Sequence, residues 1–196
     1  MRLSRQVATF VRPNDTTQYA AGDLVANSTT AGSVTIMSFT TPRKVPCLVR
    51  SVSLYHTDQD STASTFRVWL LSASPAVTNG DNGALAGIDA STVLGTVTIT
   101  ADNNCGDTFG MAAAPVGLLV PATVYAVIEA TGTYTPAAQE TFGVALVLVQ
   151  GIQVHCVERA GNTNVFGTDL RTIIAVRAWN QGNPGKRRLR FEARSR

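Results

Sequence analysis

The stretch "TVLGTVTIT", residues 92–100, decides the fold class. Val93, Val97 and Ile99 alternate with Thr96, Thr98 and Thr100, the period of a strand with one face buried. The same reading extends outward in both directions. Phe66, Val68 and Leu70 share a face upstream. Further up, Leu48, Val52 and Leu54 fall on one face, with Arg50 interrupting, and Val49, Ser51, Ser53 and Tyr55 on the other. Downstream, Val124–Thr131 reads as a strand, and Phe142–Val149, apolar on both faces, belongs at the centre of a sheet. Ile152, Val154 and Cys156 alternate with Gln153, His155 and Val157, and Leu170–Ala178 closes the series. No stretch of helical length keeps an apolar i, i+3, i+4, i+7 repeat uncut by Gly or Pro. Short helical turns are expected near Gly83–Ile88. Eight to ten strands separated by turn signals predict an all-β chain, an antiparallel β-sandwich of jelly-roll-like form.

The 196 residues suffice for one large β domain. The predicted division is an extended N-terminal arm and leading strand over residues 1–40, the sandwich over 41–179, and a basic tail over 180–196. Only 15% of the residues are charged, and Thr, Ser, Asn and Gln supply the remaining polarity. No apolar run reaches the length of a membrane span, and Arg2 and Arg5 are not followed by a secretory core, so a cytoplasmic origin without membrane contact is expected. Cys47, Cys105 and Cys156 form no CxxC pair; Cys47 and Cys156 read as small core residues.

Charge is informative by position. Arg2, Arg5 and Arg12 lie at the front, and Lys186, Arg187, Arg188, Arg190, Arg194 and Arg196 at the back. Residues 13–185 hold seven basic against twelve acidic residues, about −5. Like-charge clusters at chain ends act as interaction arms. Leu189 and Phe191 flank Arg190, which suits an extended arm laid along an acidic protein surface. A solvated tail and a nucleic-acid contact are the other two readings, and protein contact is favoured.

No arrangement of catalytic residues stands out. His56 and His155 are the only histidines, and Cys156, next to His155 in a strand, points to the opposite face. No GxSxG, HExxH, phosphate-loop or dinucleotide motif is present, and no cofactor is expected. Asn79-Gly80-Asp81-Asn82-Gly83 reads as a sharp turn, with Asp81 its one acid for a cation; Asp58 and Asp60 offer two carboxylates in a loop that otherwise reads as a hairpin tip.

The block "RSVSLYHTDQDSTASTFRVWLLSASPAVTNGDNGAL", residues 50–85, and the segment "RPNDTTQYAAGDLVA", residues 12–26, resemble the head decoration, or cement, proteins of tailed bacteriophages. The resemblance spans residues 10–178. It implies a jelly-roll-like virion protein, commonly a homotrimer, seated on the capsid's outer surface where major capsid proteins meet, with arms reaching over neighbouring subunits. Arg2, Arg5, Arg12, Lys186, Arg187, Arg188, Arg190, Phe191 and Arg194 are the residues matched to those arms. The expected function is therefore structural rather than enzymatic: a capsid-stabilising protein made in the host bacterial cytoplasm. The alternative is a receptor- or glycan-binding fibre module, with Trp69, Tyr125 and Tyr134 as its aromatic candidates. A third reading, a depolymerase subunit, needs Glu129, Glu140 and Glu158 to be gathered by folding.

Overall fold

A computed structural model describes residues 2–58, 64–104, 106–113, 117–150, 155–159, 162–166, 172–179 and 188–195. The strands are β1 (Arg2–Val11), β2 (Leu24–Val25), β3 (Met37–Thr40), β4 (Cys47–His56), β5 (Ser64–Leu71), β6 (Val93–Ala101), β7 (Asn103–Asn104), β8 (Thr108–Ala113), β9 (Leu119–Val120), β10 (Thr123–Ala130), β11 (Thr141–Gln150), β12 (His155–Arg159), β13 (Asn162–Phe166), β14 (Thr172–Trp179) and β15 (Arg188–Ser195). Among the described residues the helical elements are two 3₁₀ turns, Pro42–Lys44 and Ala90–Thr92. The second lies just beyond the predicted Gly83–Ile88 and is closed by Asp89, whose carboxylate accepts from the Ser91 amide at 2.9 Å. Among the described residues no helix is long and apolar enough to cross a membrane.

The chain divides into two units, residues 2–150 and residues 151–196. The first is an antiparallel sandwich, so the all-β expectation holds. One sheet runs β1-β11-β4-β8-β7, with β9 also on β4; the other runs β2-β10-β5-β6, with β3 also on β10. Val52 and Leu54 of β4, Val144 and Leu146 of β11, Phe66 and Val68 of β5, and Val124 and Ile128 of β10 meet between the sheets in one core. Burying each such side chain contributes about 1.5–3 kcal/mol. β11 has a strand on each side, as its two apolar faces predict. Cys47 is a buried core residue, as expected; Cys156 stands in β12. Gly110 of β8 lies close against β6: a Cβ there would lie 2.0 Å from the carbonyl oxygen of Thr100.

Two bulges shift the phase of the sequence pattern. The β4–β11 register slips between Val147 and Leu148, so that Ser51 pairs with Val147 while Val49 pairs with Leu148. Arg50 is the extra residue and is exposed. Cys47 and Val49 therefore point inward with Val52, Leu54 and His56, and Leu48 turns outward, the reverse of the predicted faces at 48 and 49. The β5–β6 register slips at Leu70/Leu71, which places Val93 on the outer side of its sheet and packs Leu94 against the core.

The outer face of the five-stranded sheet is roofed by its own chain. Val34 and Ile36 from one segment, with Val77, Leu85 and Ile88 from another, pack on Leu24, Ala26, Leu71 and Val127. The predicted arm is part of the sandwich: residues 2–11 pair along their whole length with β11, because the alternation of β1 matches that of a sheet strand. In the second unit the order is β12-β13-β14-β15, and Arg188–Ser195, expected within a tail, forms an edge strand antiparallel to β14.

Candidate functional site

The ionisable side chains that the fold gathers lie inside the sandwich and not on its rim. Arg12 follows directly on β1, where the chain leaves the edge of the sheet. Its Nη2 donates to Asp81 Oδ2 at 2.7 Å, and both side chains are fully buried. Its Nε donates to the Tyr19 hydroxyl, which in turn donates to Asp81 Oδ1 at 2.6 Å. The same Oδ1 accepts the Ala26 amide at 2.7 Å. The carboxylate thus takes three donors, and the charge pair is hydrogen-bonded as a buried pair requires. Burial by itself would lower the Arg12 pKa, but Tyr19 and Asp81 outweigh it, and the group is held above its ordinary value. Burial, then the Asp81 charge, pushes the Tyr19 hydroxyl well above the usual phenol range.

The Asn79–Gly83 loop is therefore an internal strut. Gly80 lies so close to Thr29 that a Cβ would sit 2.1 Å from its carbonyl oxygen. Asn82 takes the left-handed conformation, φ 60°, that its side chain tolerates. The Asp81 amide donates to Ser28 O at 2.6 Å. Asp81, considered in the sequence as a lone cation ligand, instead neutralises Arg12.

A second network adjoins the first. Tyr19 and Tyr134 stack with ring centroids 6.3 Å apart, and the Arg12 amide donates to Glu140 O at 2.8 Å. His56, at the inward end of β4, lies 2.7 Å from Glu140 Oε1 through its Nδ1, with both side chains fully buried. The Tyr134 hydroxyl donates to the same Oε1 at 2.7 Å and lies 3.3 Å from Asp58 Oδ2. Burial, then Glu140, pushes the Tyr134 hydroxyl above the ordinary phenol range. Phe66 and Phe142 pack on the imidazole at 6.0 and 5.4 Å. His56 Nδ1 faces Glu140, and Nε2 lies 3.4 Å from Ser64 Oγ.

Serine, histidine and carboxylate thus stand in the order of a hydrolase relay. The surroundings differ from those of a working nucleophile. Ser64 is 3% exposed, its hydroxyl is at the far limit of hydrogen bonding, and aromatic rings close the imidazole on the faces a substrate would need. Sequence reasoning missed this cluster because its members, residues 56, 64, 134 and 140, share no local spacing. The available signal was a polar residue at an inward strand position: counting from Leu54, His56 falls on the core side.

The remaining expected residues are dispersed. Among the described residues no three His, Cys, Asp or Glu side chains gather as a metal would require. Asp58 meets Tyr134, and Asp60 lies outside the described residues. Trp69 donates to Glu129 at 2.7 Å, and Glu129 pairs with Arg67 at 3.1 Å. Trp69 and Tyr125 pack under the roofed face while Tyr134 is in the core, so the three aromatics do not form one exposed cluster. Of Glu129, Glu140 and Glu158, the first two are occupied by Arg67 and His56, and Glu158 stands in β12. Among the basic residues matched to arms, Arg12 is withdrawn into the core, a correction that follows from its pairing with Asp81. Arg5 is exposed on β1, and Arg2 begins that strand. Arg188, Arg190, Phe191 and Arg194 stand in β15, opposite Trp179, Arg177, Val176 and Ile173 of β14; Lys186 and Arg187 lie outside the described residues.

No protein-family model matches the chain, and no curated protein does.

Proposed function

We propose that the protein is a structural virion component that decorates and stabilises a bacteriophage capsid by binding major capsid proteins at the outer surface. The observation that carries this reading is the distribution of charge. Inside the sandwich ionisable groups are consumed by one another, at Arg12–Asp81 and His56–Glu140, while eight of the 16 Lys and Arg residues stand at the chain's two ends. The resemblance of residues 12–26 and 50–85 to cement proteins points the same way and also implies three copies at each capsid position. β1 and β15 are both terminal in their sheets, and edge strands offer unpaired backbone to a neighbour. Arg5 on one, and Arg188, Arg190 and Arg194 on the other, add attraction for an acidic capsid surface. Binding confined to the assembled shell stabilises that shell by mass action, and repetition over one particle multiplies the effect.

The test is electron microscopy of purified phage particles carrying a labelled copy, paired with heat release of DNA from particles with and without the protein. Label over the whole head and earlier DNA release without the protein are expected. Label at a tail or single vertex, or equal heat resistance, overturns the reading. A chain lacking residues 186–196 is expected to occupy fewer capsid positions, and its difference from the full chain is expected to shrink as salt rises.

A further inference from the structure

The two outer faces of the sandwich are unequal. The five-stranded sheet is partly covered by its own loops, whereas the outer face of the six-stranded sheet leaves large apolar side chains of its outer strands exposed. Leu3, Val7 and Val11 of β1, Phe109 and Met111 of β8, and Leu119 of β9 all lie there, between 39% and 67% exposed. The registers align them in rows across the sheet: Leu3–Val149–Leu48–Leu119, then Val7–Ala145–Ser53–Met111, then Thr9–Gly143–Tyr55–Phe109. Tyr55 lies flat over Gly143, where a Cβ would sit 2.2 Å from the ring, so the middle of the face is low and level. Among the described residues the strands of this face carry no acid; their outward cations, Arg5 and Arg50, stand together toward the Leu3 end.

We propose that this face is the surface through which two copies of the chain pair, sheet on sheet, about a two-fold axis running across the strands through the Val7–Met111 row. Three observations select a second copy as the occupant. The first is area. β1, β11 and β4 each offer about 33 Å of strand and β8 about 20 Å, at about 4.8 Å spacing, giving a flat area of roughly 600 Å². That is about three quarters of the about 800 Å² per partner of a standard stable interface. The second is number. A head-to-tail contact needs two different patches, and among the described residues the exposed large apolar side chains outside this face reduce to Val45. An isologous pair needs only one. The third is charge. A crosswise axis turns the partner end for end, so the Arg5 and Arg50 end of one copy meets the Thr9 and Val11 end of the other, whose strand residues carry no exposed cation. This inference stands apart from the capsid reading and departs from the three-fold assembly that the resemblance implies.

The experiment is sedimentation equilibrium of the purified full chain at micromolar concentration. A dimer is expected. Met111→Lys places two like charges against each other at the axis and is expected to weaken pairing about a hundredfold or more. Val7→Lys on the other side of the same row is expected to do the same. Thr98→Lys, exposed on the opposite sheet, is expected to leave the dimer intact. Circular dichroism melts show whether each variant is folded, and two separate variants guard against failure of one. A monomer overturns the proposal. So does a trimer, or a dimer that survives folded Met111→Lys and Val7→Lys.

Discussion

Replacing Asp81 by Ala removes one carboxylate and leaves three donors facing the space it occupied. Arg12 Nη2 loses its counter-ion at 2.7 Å, the Tyr19 hydroxyl and the Ala26 amide lose their shared acceptor, and Arg12 stays fully buried. Breaking a buried ion pair from one side costs about 3–5 kcal/mol, because the remaining charge has been taken from water without compensation. Two hydrogen bonds to a charged acceptor would be worth about 1.5–3 kcal/mol each if independent, but they belong to the same network, so about 3–5 kcal/mol is expected for the whole loss. That is a third or more of the stability of an ordinary domain. The assay is urea unfolding followed by tryptophan fluorescence, with Trp69 under the roof as the reporter. The double variant Arg12→Leu, Asp81→Leu removes both charges together and is expected to lose much less than the sum of the single substitutions. A loss below about 1 kcal/mol for Asp81→Ala, or simple additivity in the double variant, refutes the strut.

Four further outcomes follow from the geometry. His56→Leu leaves Glu140 buried without its partner and is expected to cost about 3–5 kcal/mol in the same assay, since both side chains are inaccessible to water. Gly110→Ala drives a methyl into the Thr100 carbonyl and is expected to cost about 1–3 kcal/mol as the sheets separate, read as a lowered melting temperature. Tyr19 and Tyr134 hold their protons more tightly in the fold than in the open chain, where tyrosine ionises near pH 10. Their stabilisation is therefore fully present below about pH 10 and declines above it, as the unfolded chain alone releases protons. Unfolding free energies measured from pH 8 to 11, with absorbance at the tyrosinate band, check this; free titration of all four tyrosines in the native protein contradicts it. Ser64 is expected to resist a fluorophosphonate probe in the native protein, and labelling would show the relay to be open.

The alternating strands were legible because each carries its environment in its composition. Thr96, Thr98 and Thr100 are exposed and Val97 and Ile99 buried, as the two-residue period requires. The bulges at Arg50 and Leu94 were not legible, since an inserted residue shifts every neighbour's face without marking itself by type. The buried networks were invisible for a different reason. Arg12 reads as one more terminal cation until folding brings Asp81, 69 residues away, against it. β15 shows the opposite case: "RLRFEARS" alternates basic and apolar residues plainly, and its pairing with β14 decides between an arm and a strand.

The pairing of β1 with β11 has a consequence for synthesis. About 130 residues separate the end of one from the start of the other, so at about 5–20 residues per second β1 waits about 7–26 s on the ribosome before its partner exists. Throughout that interval Leu3, Val7, Phe10 and Val11 are a nascent apolar strand without a sheet. The sandwich cannot close from its leading end, and a chaperone-like shield during translation would act on this strand before any other.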